Sequence, residues 1–364
     1  MTIQEKMNIA LDDWTIIGIG MIDRYHYLVV ANWSDEKKPY IDDRDNKKYS
    51  HPTRLMEIDV KNNKVSWVTS LDGLSNVHCD GGIIKGNKEA FFGSFNGITY
   101  HLDYGADKFA HEELLLTDER LKQGIGRGID DIRAIGNHFY TVDAGNEVHR
   151  RDAAKKWTLI SPEAVEYAEK IEGGDTKSLD GYSEQEIYFC GYEGNLWYYN
   201  GKAWDKVPHL SKEMQLEYVV CNTDGKVYAI DSHARWVVVG RGLECKVIAM
   251  KEDDLAIDGT TYGAVAYKGK IYLAQGDIME FRENHWVKAN IPGVYGGVEH
   301  LASKDGMLFI GTPYSLYIYN GKETFALYGE EKDDAKFLIE QFLQTSEEFV
   351  QSGHALLDEM EKGR

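Results

Sequence analysis

The sequence predicts an all-β fold, a β-propeller, and three observations predict it. The first is a strand of aromatic and β-branched residues that returns down the chain: Phe91-Phe92-Gly93-Ser94, Phe139-Tyr140-Thr141-Val142-Asp143, Ile187-Tyr188-Phe189-Cys190-Gly191, Val227-Tyr228-Ala229-Ile230-Asp231, Ile271-Tyr272-Leu273-Ala274-Gln275 and Leu308-Phe309-Ile310-Gly311. The copies recur roughly every 37 to 49 residues, the period range of repeat architectures. The second is the polar turn before most copies, at Gly86-Asn87, Gly136-Asn137, Asp224-Gly225, Lys268-Gly269 and Asp305-Gly306. Such pairs supply the positive φ values of tight hairpins, so each copy reads as strand b of an a–b hairpin. The third is a large ring that follows the downstream turn in most blades, at Trp67, Trp157, Trp204, Trp286 and Phe325. A ring opening the outer strand d would wedge between neighbouring blades, burying roughly 150–250 Å². Antiparallel four-stranded units repeated in this way close radially.

The elements follow in order. Residues 1–13 form an N-terminal segment. Seven blades are read at 14–71, 76–117, 129–161, 176–209, 217–250, 260–290 and 297–329, so the propeller spans 14–329. The first blade is the least regular. In an alternative reading Trp14-Thr15-Ile16-Ile17-Gly18-Ile19-Gly20 completes the last blade and clasps a ring of six. Residues 330–364 change character. Glu330-Glu331-Lys332-Asp333-Asp334 opens a helix, and Leu338, Phe342, Phe349, Leu356 and Met360 lie on a rough heptad stripe. That helical tail docks on the last blade or, alternatively, dimerises.

Length alone suggests two or three domains for 364 residues, but the repeats assign most of them to one array. Six prolines and 36 glycines suit short strands joined by tight turns. The net charge is −19, from 41 basic and 60 acidic residues, with no long Lys/Arg run. That balance argues against phosphate-driven nucleic-acid binding. It favours a basic protein partner or a cation, or serves solubility alone. Cys79, Cys190, Cys221 and Cys245 form no CxxC pair and read as small buried hydrophobes. The start, Met1-Thr2-Ile3-Gln4-Glu5-Lys6, carries no apolar signal core, and no run approaches 18 apolar residues. The expectation is a cytoplasmic protein that does not cross a membrane.

In a propeller the d–a and b–c connections open on one face. The long excursions fall there: 34–52, 118–128, 162–175 and 251–259. Loops beyond about 12–15 residues are usually functional or disordered, and 34–52 and 162–175 reach that length; with four excursions on one face, this face is the predicted partner-binding rim. Its candidate residues are Asp35, Glu36, Tyr40, Asp42 and Asp43 in the first excursion, and Arg127 in Gly124-Ile125-Gly126-Arg127-Gly128. Glu163, Glu166 and Glu169 recur every three residues after Ser161-Pro162, which predicts a capped helix with an acidic face. Glu252, Asp253 and Asp254 add a second acidic group.

Polar residues in or beside the innermost strands give a competing expectation. His78, Asp80, Asp130, Asp131, Asp258, Glu299 and His300 would face the channel mouth, where they could hold Ca²⁺ or another divalent cation. That would make a metal-dependent hydrolase or lactonase. A third alternative is carbohydrate binding through Tyr40 and Tyr49. No Gly-x-Ser-x-Gly elbow, HExxH spacing or phosphate-binding Gly-rich motif is present.

The c–d signature Tyr199-Asn200-Gly201-Lys202-Ala203-Trp204 resembles a Kelch repeat, and residues 14–329 resemble the Kelch-like and related propeller superfamilies. The chain departs from Kelch repeats in ending strand b on single glycines, Gly93, Gly191 and Gly311, where those repeats carry a pair. No repeat carries the Gly-His and Trp-Asp pairs of WD40 repeats, apart from an isolated Trp204-Asp205. The resemblance implies architecture and transfers no functional residue. The sequence favours a non-catalytic propeller that binds a protein through its elaborated face, such as an inhibitor or immunity protein of a basic toxin.

Overall fold

The computed structural model describes residues 1–33, 52–70, 74, 76–95, 97–104, 108–113, 128–143, 145–171, 175–250 and 260–329. The predicted tail at 330–364 lies outside these residues, as do the excursion at 34–51 and residues 251–259. Seven four-stranded antiparallel sheets make the propeller, each from four consecutive strands, a to d from the channel outward. The blades run Trp14–Ser70, His78–Glu113, Ile129–Leu159, Thr176–Lys206, Leu216–Ala249, Gly263–Lys288 and His300–Tyr328. Seven is therefore the number. Trp14–Asp23 is strand a of blade 1, paired with His26–Trp33, and the last blade is complete without it.

Apolar alternation explains why strand b was the visible signal. The core is not one mass. It is seven clusters, one between each pair of neighbouring blades. In strand b of blade 4, Ile187 and Phe189 enter the cluster shared with blade 3, while Tyr188 and Cys190 enter the one shared with blade 5. In blade 6, Ile271 and Leu273 face blade 5, while Tyr272 and Ala274 face blade 7. A strand buried on both faces must read as a continuous apolar run. Each such side chain is worth roughly 1.5–3 kcal/mol when fully buried.

The outer rings behave as predicted in three blades. Trp204 donates its indole N–H to the Ile160 carbonyl of blade 3 at 2.7 Å, and Trp286 donates to Ala234 of blade 5 at 3.1 Å. Trp157 meets Phe91 of blade 2 edge-on, with centroids 5.4 Å apart. Two rings differ. Phe325 is buried but faces blade 1, because Thr324, not Phe325, pairs with Tyr319, and a shift of one residue reverses the face. Trp67 stays 43% exposed on the outer strand, with the Arg54 guanidinium 5.5 Å from its ring. The first hairpin turn of blade 2 also sits one residue earlier than read, at Lys85-Gly86, with φ of 50° and 87°.

The ring closes without exchanging a strand, and the N-terminal segment does the closing. It folds as α1 (Ile3–Leu11). Thr2 caps it: Glu5 N–H donates to Thr2 Oγ1 at 3.2 Å, and Thr2 N–H donates to Glu5 Oε2 at 2.7 Å. Ile3, Met7, Ala10 and Leu11 form its buried stripe, in one cluster with residues of blades 1 and 7. Tyr328 of blade 7 donates to the Leu11 carbonyl at 3.2 Å, and Arg54 of blade 1 donates to that of Ala10. Ile16 N–H also donates to the Pro313 carbonyl across this seam at 2.9 Å.

Candidate functional site

Each strand a is the edge of its sheet, so the N–H groups on its open side have no strand partner within the blade. Carboxylates fill that need. Asp80 of blade 2 accepts from Ala134 N–H of blade 3 at 2.9 Å. Asp131 of blade 3 accepts from Leu179 N–H and from Ser178 Oγ of blade 4, both at 3.0 Å. Asp180 of blade 4 accepts from Cys221 N–H of blade 5 at 2.7 Å. The acids staple one blade to the next. Glycine permits close approach of neighbouring blades: a Cβ on Gly20 would lie 2.6 Å from the Cys79 carbonyl oxygen.

The strands enclose two chambers. The one nearer the loop face, about 310 Å³, is lined by His78, Asp131 and His300 together with Arg133, Lys177 and Tyr262. Asp80 lines the other, about 240 Å³. Three of the predicted metal-binding residues thus share a chamber. Asp131 is committed to its staples and to Arg133, 3.1 Å away, while His78 Nδ1 stands 4.0 Å from Asp131. Burial lowers the His78 pKa and takes that of His300 to about 4, so both imidazoles are neutral at pH 7. A divalent ion there would face two fixed cations, Arg133 and Lys177. Burial raises Asp130 to about 7 and also raises Glu299; neither lines this chamber. Asp258 lies outside the described residues.

Among the described residues, two other groups bring three donors together: His26, Glu57 and Asp59, and Asp143, Glu147 and His149. The first already holds cations of its own. His26 lies 2.6 Å from Asp23 and 3.5 Å from Asp59, and Lys88 lies 2.9 Å from Asp23. It is an ion-pair cluster on the face opposite the long loops.

On the loop face the predicted helix is present as α2 (Pro162–Ile171). Its Glu163, Glu166 and Glu169 are exposed, and Glu166 pairs with Lys170 at 2.7 Å. Ala164 is buried between blades 3 and 4, and Tyr167 meets Trp197 edge-on at 5.5 Å. Ser161 does not cap it. Its hydroxyl accepts from Val148 N–H at 2.7 Å and donates to the Asn146 carbonyl at 2.8 Å, tying the helix start into blade 3. Asp35, Glu36, Tyr40, Asp42, Asp43, Arg127, Glu252, Asp253 and Asp254 all lie outside the described residues.

The same face carries residues that the sequence reading missed. Among the described residues, six aromatic side chains are strongly exposed, and all but Trp67 sit there: Trp33 (40%), Phe95 (42%), Tyr262 (48%), Tyr295 (80%) and Tyr314 (65%). They occupy ends and connections of blades 1, 2, 6, 7 and 7, four successive blades of the ring. A signal existed. Pro292-Gly293-Val294-Tyr295-Gly296-Gly297 and Pro313-Tyr314 place rings in turns, outside the apolar alternation of the strands.

A seven-bladed propeller with one elaborated face is the class this geometry defines. No protein-family model matches the chain. Over 222 residues it is 26% identical to immune protein Tsi7 of Pseudomonas aeruginosa, covering 58% of this chain and 68% of that protein. Virginiamycin B lyase from Staphylococcus aureus is a similar solved structure, with a TM-score of 0.59 at 9% identity, covering 83% of this chain and 92% of that one. YCF48 from Cyanidioschyzon merolae gives 0.55 at 12%, covering 85% and 97%. The WD40 propeller domain of Doa1 gives 0.52 at 8%, covering 83% and 90%. At these identities the structures show the fold alone.

Proposed function

We propose that this chain is an immunity-type inhibitor, a non-catalytic propeller that neutralises a protein toxin by binding it on the d–a/b–c face. The similarity to immune protein Tsi7 carries the reading. The exposed aromatics and the acids of α2 support it, because both lie on the face already marked by long connections. A net charge of −19 favours a basic partner, met through electrostatic steering. We place the encounter in the cytoplasm, where four unpaired thiols stay reduced.

The test is growth rescue. A protein retained in a one-to-one complex by the full chain is expressed alone and then together with it. The expected result is arrest by the partner alone and growth when both are present. A partner whose toxicity the chain leaves unchanged, or the lack of any saturable partner, would defeat the proposal.

A further inference from the structure

The loop face is divided into sectors. Trp33, Phe95, Tyr262, Tyr295 and Tyr314 stand on blades 6, 7, 1 and 2, and the acids of α2 stand at the border of blades 3 and 4. Resting on the inhibitor reading, we infer that the aromatic sector holds the partner and the acidic sector steers it. The occupant is a basic folded protein whose contact face is apolar at its centre and basic at its flank.

Magnitudes separate the two roles. The exposed fractions of the five rings amount to roughly 500 Å² on the scale of full aromatic burial. That is more than half of the roughly 800 Å² that a standard interface takes from one partner. Buried Trp and Tyr dominate binding energy, and rigid presentation lowers the cost of ordering them. Two of these rings stand on fixed ground. Trp33 packs on Trp14 at 5.7 Å, under a surface that also includes the Arg54 guanidinium 3.9 Å from Trp14. Tyr314 N–H donates to Thr312 Oγ1 at 3.2 Å, and the preceding carbonyl is fixed by Ile16 across the seam. Tyr295 is carried between Gly293 and Gly296, whose φ of 74° and 59° turn the backbone so that the ring stands 80% exposed. Glu163, Glu166 and Glu169 are exposed and screened, so each contributes little to affinity. Their field acts at longer range, on encounter.

The experiment uses full-length chains and, as probe, the partner that the unmodified chain retains, purified away from it. Association and dissociation rates are measured at 50 and 300 mM salt, as test conditions on the scale of the Debye screening length. Tyr295→Ala with Tyr314→Ala is expected to speed dissociation by about thirtyfold, about 2 kcal/mol, with association changed less than about threefold. Glu163→Gln with Glu166→Gln and Glu169→Gln is expected to slow association about threefold at low salt and not at high salt. Leu243→Ala, on the opposite face, is the control and should change neither rate. All these sites are exposed, so melting temperatures should match. A partner bound normally by the Tyr295/Tyr314 variant would overturn this inference and leave the inhibitor reading intact. A dimer of the chain abolished by that variant would also overturn it, because the occupant would then be a second copy. No retained partner would overturn both.

Discussion

Asp131 uses both carboxylate oxygens on its neighbours. Oδ2 takes the blade 4 bonds, and Oδ1 takes Ile132 N–H at 2.8 Å and Arg133 at 3.1 Å. The residue type at the channel was legible in the sequence, but its work was not, because only the three-dimensional ring sets one sheet edge beside the next. Asp131→Ala should cost about 3 kcal/mol in urea unfolding, since it strands buried donors and an arginine, and Asp131→Asn roughly half that. A cost near zero would mean that the staples contribute nothing. His26 supplies the pH-sensitive counterpart. Burial would lower its pKa, but the bonds to Asp23 and Asp59 outweigh this and raise it to about 9 from 6.5. Burial would raise Asp59, and His26 and Asn62 outweigh it, holding the carboxyl at about 2 against 3.8. A raised histidine stabilises below its unfolded pKa and loses that contribution as pH climbs to its folded one. Unfolding free energy should therefore fall from pH 6.5 to about 9, by an amount on the order of 3 kcal/mol from this group. His26→Gln should flatten that slope in urea titrations at several pH values. The Asp59 contribution disappears separately, as pH falls from 3.8 towards 2.

At the scale of elements, the sequence revealed strands better than it revealed α1. Strand b announces itself because both its faces are buried, and every predicted copy lies in or overlaps an observed strand b. The helix was also written in the chain, as Thr2 and Glu5 at capping-box spacing followed by Met7, Ala10 and Leu11. Nine helical residues are too few to be stable alone, so the pattern gains meaning only from the seam it covers. Phe325 and Trp67 failed for a different reason. Facing alternates at each residue of strand d, and Phe325 follows the turn-closing Thr324 by one residue while Trp67 follows Lys64 by three, so the place of the ring along the strand, which composition does not report, decides where it packs. The helix makes its own prediction. Thr2→Ala should lower stability by about 1 kcal/mol through the lost cap, and Met7→Ala by about 2–5 kcal/mol through a cavity at the seam. Calorimetry that found both harmless would show that α1 does not contribute to closure.

Across the whole molecule, seven interfaces between blades carry the core, so closure makes them depend on one another. In an open solenoid each repeat meets only its neighbours, and an end can fray alone. Here blades 7 and 1 must meet without strand exchange, and α1 spans them. The blade count was legible in the sequence, because period and turn chemistry favour seven over six. The aromatic sector was less so, since exposure follows from the path of each connection. Interdependence can be measured with two fully buried rings. Phe309 lies at the seam, 4.9 Å from Tyr27 of blade 1, and Phe189 lies between blades 3 and 4. In the full chain each Phe→Ala change should cost about 3–5 kcal/mol within a single transition. Removing residues 2–12 should change that symmetry. With the seam loosened, Phe309 has less packing left to lose, so its cost should shrink by more than about 1 kcal/mol, while the Phe189 cost should remain additive. Equal additivity at both sites would mean that the ring is held shut by the blades themselves.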